Sequence, residues 1–197
     1  MKKRLAVIAV ILICLSIIGT GTYAWFATRG VARNVITTGA IKISVVEEQL
    51  VDGAVIDYPG APIPVMPATT VSKIVSVRNE EEDAYIRMTY AVRVLDAEGN
   101  EMQSGEDPLG DIVFISPNSG EWTEKDGWWY YHRALAAGES TTPLFEEVRF
   151  SGTGMDNSYQ NSTIIVMVHA QSVQVANNPA PGGDVTAVHG WPRNRKW

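Results

Sequence analysis

Three histidines are the side chains most capable of anchoring a catalytic zinc ion, and they stand far apart in the sequence: His132, His169 and His189. A zincin motif places two histidines one helical turn apart with a glutamate between them, so that both imidazoles meet one ion while the acid activates water. The sequence contains no His-Glu-x-x-His. We therefore expect no catalytic residue, no metal and no cofactor, and keep the three histidines only as weak metal candidates.

Other reactive groups give little support for catalysis. The loops at residues 96–101 and 154–157 carry oxygen ligands that suit calcium, but neither has the EF-hand spacing, and acidic turns are commonly just solvated. No Gly-x-Ser-x-Gly occurs, and Cys14 lies inside the apolar run near the start of the chain. The sequence thus favours a protein that is not an enzyme.

An aromatic cluster at residues 128–131 is the other unusual feature. Alternation along a strand places Trp128 and Tyr130 on one face and Trp129 and Tyr131 on the other, so one pair can enter a core while the other faces outward. An outward pair would form a surface for carbohydrate or partner stacking. Cross-strand packing between neighbours in a sheet is the favoured alternative.

The elements that must position these side chains read as strands. Apolar side chains alternate along residues 84–95, which predicts the clearest strand of the chain, and residues 163–177 predict a second long one that crosses the centre of a sheet. Shorter candidates occupy residues 35–46, 71–78, 111–116, 128–133 and 144–150. The proline-rich stretch 58–67 predicts an extended surface connection, because proline cannot donate to a ladder.

Seven or eight short strands without intervening helices predict an all-β fold, an antiparallel β-sandwich of jelly-roll type. We expect a single β-sandwich domain over residues 37–178, followed by a tail over residues 179–197 that runs across the surface. No internal repeat is evident.

The start of the chain predicts a secretory signal peptide over residues 1–24. Lys2, Lys3 and Arg4 precede an apolar run, and small residues lead to a cleavage site between Ala24 and Trp25. As a helix the run spans about 21 Å, which is short for a hydrocarbon slab of roughly 30 Å. Contact with the membrane is therefore expected only through the uncleaved signal-peptide helix.

Charge excludes one class of partner. The formal net charge is −6, and cleavage would remove three further positive charges, so the exported form is acidic. An acidic surface repels nucleic acid, and we expect no nucleic-acid role. The lone cysteine would leave with the signal, so the domain has no disulfide available.

Four pieces of the sequence stand out together: Gly21-Thr22-Tyr23-Ala24-Trp25-Phe26 with residues 34–43, residues 66–79 running into 84–87, Trp128-Trp129-Tyr130-Tyr131 followed by Leu135, Gly138 and residues 142–145, and residues 170–178. In this combination they resemble the TasA/camelysin-like (CalY) exported proteins of Gram-positive bacteria, whose signal peptide is cut by a specialised SipW-type signal peptidase. The four pieces cover most of the chain in the family's order.

The resemblance implies a secreted structural protein of the extracellular biofilm matrix or cell surface. In TasA-like fibres the segment after the cleavage site is a donor strand that completes the sheet of the next subunit. The expected partners are therefore copies of the chain in a head-to-tail polymer, related matrix subunits, and the specialised signal peptidase during export. The alternative within the same family is a camelysin-like secreted metalloendopeptidase.

The matching donor segment here covers residues 25–36. Its donor-strand candidates are Trp25, Phe26, Thr28, Val31 and Val35. Gly30 and poor alternation leave two other interpretations open, a disordered terminus and a first strand in the chain's own sheet.

Overall fold

The structure, a computed structural model, describes residues 41–60, 66–102, 111–156, 159 and 161–192, which all belong to a compact unit over residues 33–197. The signal peptide, its cleavage site at Ala24 and Trp25, and the whole donor segment lie outside the described residues. Nine strands follow in chain order: β1 (Ile43–Val51), β2 (Ala54–Asp57), β3 (Thr70–Asn79), β4 (Ala84–Leu95), β5 (Val113–Ile115), β6 (Trp122–Lys125), β7 (Trp128–Tyr131), β8 (Phe145–Phe150) and β9 (Thr163–Gln174).

The strands form two antiparallel sheets. The five-stranded sheet has the order β2-β1-β3-β8-β5, and the four-stranded sheet has the order β6-β7-β4-β9. Buried apolar side chains from both sheets join in one core cluster. The predicted all-β antiparallel sandwich is confirmed, whereas its jelly-roll connectivity stays a prediction.

Strand β4 shows why this sequence makes a sandwich. Ala84, Ile86 and Met88 are fully buried in the core, as the alternation predicts, and β4 pairs with β9 along twelve residues of each strand. Burying a side chain of the size of Ile86 or Met88 stabilises a fold by about 1.5–3 kcal/mol. The opposite face of β4 carries Tyr85 and Arg87, which lie outside the core between the sheets.

Two strands were not anticipated from the sequence, β2 and β6. Each forms a hairpin with a neighbour through an Asp-Gly turn, Asp52-Gly53 between β1 and β2 and Asp126-Gly127 between β6 and β7. All four turn residues have positive φ, between 50° and 82°. That geometry matches the right-handed twist of the flanking strands and explains the Asp-Gly pairs.

Strand β9 corrects another expectation. The run at residues 163–177 does not cross the centre of its sheet, because β9 is the last strand of the four-stranded sheet in the part of the chain that is described. Strand β4 occupies a central position instead, between β7 and β9. Of the candidate at residues 35–46, residues 35–40 lie outside the described residues, and the described strand begins at Ile43 and continues to Val51.

A buried asparagine connects the end of β3 to two neighbouring loops. Asn79 is fully buried at the end of β3, and its side-chain amide donates to the carbonyl oxygens of Glu82 and Leu135 at 2.8 and 2.9 Å. Its backbone N–H donates to the carbonyl oxygen of Glu139 at 2.9 Å. One side chain thus ties β3 to two connecting loops.

Replacing Asn79 by Leu is expected to lower the free energy of unfolding by about 1 kcal/mol, because the two side-chain hydrogen bonds of a fully buried amide are lost while the volume is kept. Urea denaturation measures the change. Glu81→Gln, at an exposed position in the adjacent loop, is the control and should stay within about 0.5 kcal/mol of the parent chain. Equal stability of the two variants would contradict this role for Asn79.

Candidate functional site

The side chains with most chemistry meet on the outer face of the four-stranded sheet, the face turned away from the core. Strand register places Arg87 of β4 directly opposite Tyr130 of β7 on one side and Gln171 of β9 on the other. His169 lies two residues before Gln171 on the same face of β9, and its ring centroid is 5.7 Å from that of Trp128. Pairing of three strands therefore builds one continuous polar and aromatic row.

Arg87 is the centre of this row and is buried. Its Nε and Nη2 donate to Oε1 of Gln171 at 3.0 and 2.6 Å, and its Nη1 donates to the Tyr130 hydroxyl at 3.0 Å. The guanidinium carbon lies 4.1 Å from the ring centroid of Trp128 and 4.7 Å from that of Trp191. Cation–π contacts of a desolvated arginine are worth about 2 kcal/mol or more.

Residues 178–192, which we call the strap, cover this row. Val185 and Val188 of the strap pack with Tyr85 and Val173 in a second apolar cluster on the outer face. The backbone N–H of Ala180 donates to the Tyr85 hydroxyl at 3.3 Å. The strap therefore buries part of the outer face of the four-stranded sheet.

The end of the strap contacts Arg87 directly. Arg87 Nη2 donates to the carbonyl oxygen of Pro192 at 3.3 Å, and the ring of Trp191 meets that of Tyr130 edge to face at 5.5 Å. Trp191 and Trp128 thus both stack on one guanidinium. Burial lowers the pKa of Arg87 below its ordinary value, and the hydrogen bond to Tyr130 offsets part of this lowering.

The aromatic candidates divide between the two faces in the way that alternation requires. Tyr131 is in the core beside Trp122, with ring centroids 5.0 Å apart, and Trp129 packs against the same core. Trp128 and Tyr130 lie on the outer face, where they are 7% and 5% exposed. Neither of these two rings offers an open face to a sugar, because Arg87 and the strap cover them.

The three histidines occupy separate environments. The Nε2 atom of His132 lies 2.8 Å from Thr123 Oγ1, His169 lies beside Trp128, and His189 is exposed on the strap. Within the described ranges, no group of three or more His, Cys, Asp or Glu side chains is placed to hold a metal ion.

The acidic loop at residues 96–101 uses its carboxylate for its own turn. Asp96 Oδ1 accepts from the backbone N–H groups of Glu98 and Asn100 at 3.0 and 2.7 Å, and Oδ2 accepts from the Asn100 amide at 3.1 Å. These bonds, led by that of the Asn100 side chain, lower the pKa of Asp96. The carboxylate of Asp96 thus stabilises the turn that connects β4 to the following segment.

A second site lies along one open side of the sandwich. Cα atoms of β1 and β9 approach within 8 Å, so the outer strands β2 and β9 of the two sheets end on the same side. Both are edge strands in the chain as described. Several side chains that face the core here are only half-buried, namely Val45, Ile164, Val166 and Val168.

The hairpin of β1 and β2 extends this open side. By alternation from Ile43 and Val45, Val51 faces inward, and Ile56 shares that face because it pairs with Gln49. Both Val51 and Ile56 are exposed. Among the described residues, the core-facing side chains are therefore buried at the centre of β3 and β4, half-buried along β9 and exposed at the end of the hairpin.

A family model for the camelysin metallo-endopeptidases matches residues 1–107, which is more than half of the chain. The chain belongs to the camelysin family. Membership places this camelysin-family protein among surface or secreted proteins, and the matched region ends after β4, before the aromatic cluster and the strap. No curated protein and no solved structure matches it. Among the described residues, no helix is long and apolar enough to span a membrane.

Sequence reasoning missed the residue at the centre of the outer face. Alternation alone places Arg87 on one face of its strand and Gln171 on one face of another, and it gives no reason to connect the two side chains. The available signal was an arginine inside a run of otherwise largely apolar residues in a strand predicted to be well buried. Trp191 gave no local signal at all.

Replacing Trp191 by Ala is expected to lower the free energy of unfolding by about 1–3 kcal/mol, since it removes half-buried aromatic surface and one of the rings stacked on Arg87. Urea denaturation followed by near-UV circular dichroism measures the loss. His189→Ala, exposed on the same strap, is the matched control and should leave stability unchanged. If Trp191→Ala proved as stable as this control, the strap would not be held by its tryptophan.

His169 gives the outer face a pH dependence. Burial, and secondarily the charge of Arg87, lower the pKa of His169 below its ordinary 6.5. The folded protein then binds fewer protons than the unfolded chain. The contribution of His169 to the free energy of unfolding is therefore complete above the unfolded pKa, and it is lost as pH falls below about 6.5.

His169→Gln is expected to reduce the loss of unfolding free energy between about pH 7.5 and about pH 5 relative to the parent chain. Denaturation curves at several pH values measure it. A His169→Gln variant with an unchanged slope would refute this assignment.

Proposed function

We propose that this camelysin-family protein is a secreted structural subunit that assembles into surface or biofilm-matrix fibres by strand addition. The observation that carries the proposal is the open side of the sandwich. Strand β9 offers twelve residues of edge, and core-facing side chains along it are only half-buried. An added strand would form main-chain hydrogen bonds with the backbone N–H and C=O groups along the outer edge of β9, and its side chains would cover the half-buried ones.

The proposed donor is the segment at residues 25–36 of a second copy. Its apolar candidates Trp25, Phe26, Val31 and Val35 supply side chains for the uncovered core, and Thr28 suits an extended strand. An extended segment of this length spans about 40 Å, which matches the length of β9. A donor at one end of the chain and an acceptor edge on the sandwich make a head-to-tail contact that does not close, which is the geometry of a filament.

A second candidate function follows from the family description. A camelysin metallo-endopeptidase would require a metal centre, for which His132, His169 and His189 are the imidazoles available. The separate environments of these three side chains favour the structural role.

Removing residues 25–33 from a chain that begins at Trp25 is expected to abolish filaments in negative-stain electron micrographs while leaving the sandwich folded by circular dichroism. The parent chain should form filaments under the same conditions, with or without a chelator. Arg29→Lys is the matched control, since it keeps the length and charge of the segment. A folded shortened chain that still polymerises would exclude donation from this segment.

The same preparations separate the enzyme from the fibre. Stoichiometric zinc together with chelator-sensitive peptide hydrolysis, in material that forms no filaments, would replace the structural role by the peptidase role. An added peptide of residues 25–36 should bind the shortened chain and shift backbone resonances of β9.

A further inference from the structure

The outward face of the β1–β2 hairpin carries four side chains in an unusual arrangement. Strand register places Glu48 directly opposite Asp57 and Leu50 directly opposite Val55. All four point away from the core, because Ile43 and Val45 of the same strand point into it. We call these four residues the hairpin face.

Two features of the hairpin face are costly for an isolated chain. Leu50 and Val55 are 53% and 55% exposed, so an apolar cross-strand pair faces solvent. Glu48 and Asp57 are like charges directly opposite each other, an arrangement that destabilises a strand pair.

No base of the hairpin or its neighbour relieves this repulsion. The segment from β1 to β2 contains no lysine or arginine, and none of the ion pairs among the described residues includes Glu48 or Asp57. Lys73, on the adjacent strand β3, pairs at 3.1 Å with Glu47, whose side chain belongs to the opposite face. A cationic and apolar ligand would therefore lower the free energy of both pairs at once.

We propose that the hairpin face binds residues 193–197 of a second copy of this chain. The segment reads Arg-Asn-Arg-Lys-Trp, with three positive side chains and no acid. In an extended conformation Arg193, Arg195 and Trp197 share one side, because side chains alternate. Two guanidinium groups then face the acid pair, and the indole covers the apolar pair.

The chemistry of the two surfaces is matched in kind and in size. Arginine and carboxylate form bidentate, charge-assisted hydrogen bonds, and an indole buries a large apolar area at small entropic cost. Strand β2 is four residues long and has a free edge in the described chain, so a short extended segment can also pair with its backbone.

The segment must come from another copy. In its own chain it follows Pro192, which is bound to Arg87 on the outer face of the four-stranded sheet. The hairpin face lies on the outer surface of the five-stranded sheet, on the opposite side of the sandwich. Five extended residues reach about 17 Å at most. A path around the sandwich must pass β9, cross to β1, whose Cα atoms come within 8 Å of those of β9, and then pass around β2 to the outward face, which is longer than that reach.

This contact is distinct from strand donation by residues 25–36 and does not depend on it. It uses the outward face of the hairpin and a segment after the strap, whereas the donor would use the edge of β9 and the inward side. The two contacts can therefore be tested separately, and filaments are not part of the test.

The first experiment titrates a fluorescent peptide of residues 192–197 into the full chain and measures anisotropy. Glu48→Gln combined with Asp57→Asn is expected to weaken binding about tenfold or more, since each Arg loses its charged acceptor. Glu98→Gln combined with Glu146→Gln, exposed acids outside the hairpin, is the charge-matched control and should bind as the parent does. Leu50→Ser combined with Val55→Ser should also weaken binding, and high salt should weaken it further.

The second experiment compares self-association of the full chain with that of a chain ending at Pro192, which keeps the strap, by sedimentation velocity. The shortened chain should lose a concentration-dependent species, and the hairpin double variant should lose it as well. Folding is checked independently, because removing the repulsion between Glu48 and Asp57 should leave the unfolding free energy equal or higher.

Three results would overturn the proposal. Peptide binding that is equally strong in the hairpin variant and the parent would exclude the hairpin face. Equal weakening in the charge-matched control would reduce the effect to net charge. Saturable binding of calcium alone to Glu48 and Asp57, with no peptide binding, would assign the acid pair to a cation instead.

Discussion

The long pairing between β4 and β9 is the constraint on which the rest of the molecule depends. Twelve consecutive residues of each strand are held in register, so every alternate side chain is committed to one of two surfaces. On the inner surface Ile86 and Met88 complete the core. On the outer surface the same register brings Arg87 against Gln171. A slip of one residue would exchange the two surfaces and bury the arginine in the core.

The outer surface shows how a charged side chain can be removed from most of its water. The guanidinium of Arg87 exchanges hydration for a planar set of acceptors and for two indole faces. Arginine suits this role better than lysine, because its delocalised charge is weakly hydrated and its donors lie in one plane. The strap supplies one indole and one acceptor, so its position and the burial of Arg87 are mutually dependent.

Local patterns in the sequence predicted the parts of the fold that depend on local order. The alternation over residues 84–95 identified β4 and its inner face, and the aromatic run at residues 128–131 was divided correctly between the two sides of β7. Strands β2 and β6, each four residues long, were not predicted, although their Asp-Gly turns were visible. In both hairpins the Asp-Gly pair indicates the turn more clearly than the alternation of the short strand indicates the strand.

Sheet order and the covered outer face could not be predicted in this way. Whether β9 is central or terminal depends on which strands pair across long separations, and alternation is the same in both cases. Arg87 and Pro192 are 105 positions apart, and no spacing rule connects them. The donor segment and the cleavage site fall outside the described residues, so they stay predictions.

The separation between Arg87 and the end of the strap also bears on how the protein matures during export. A chain that emerges from a translocation channel amino end first presents β4 long before residues 191 and 192 become available. Until then Trp191 does not pack against Tyr130 and Arg87, and the outer face of the sheet exposes aromatic side chains to solvent. The last step of folding would therefore be a local docking of the strap, not a collapse of the whole domain.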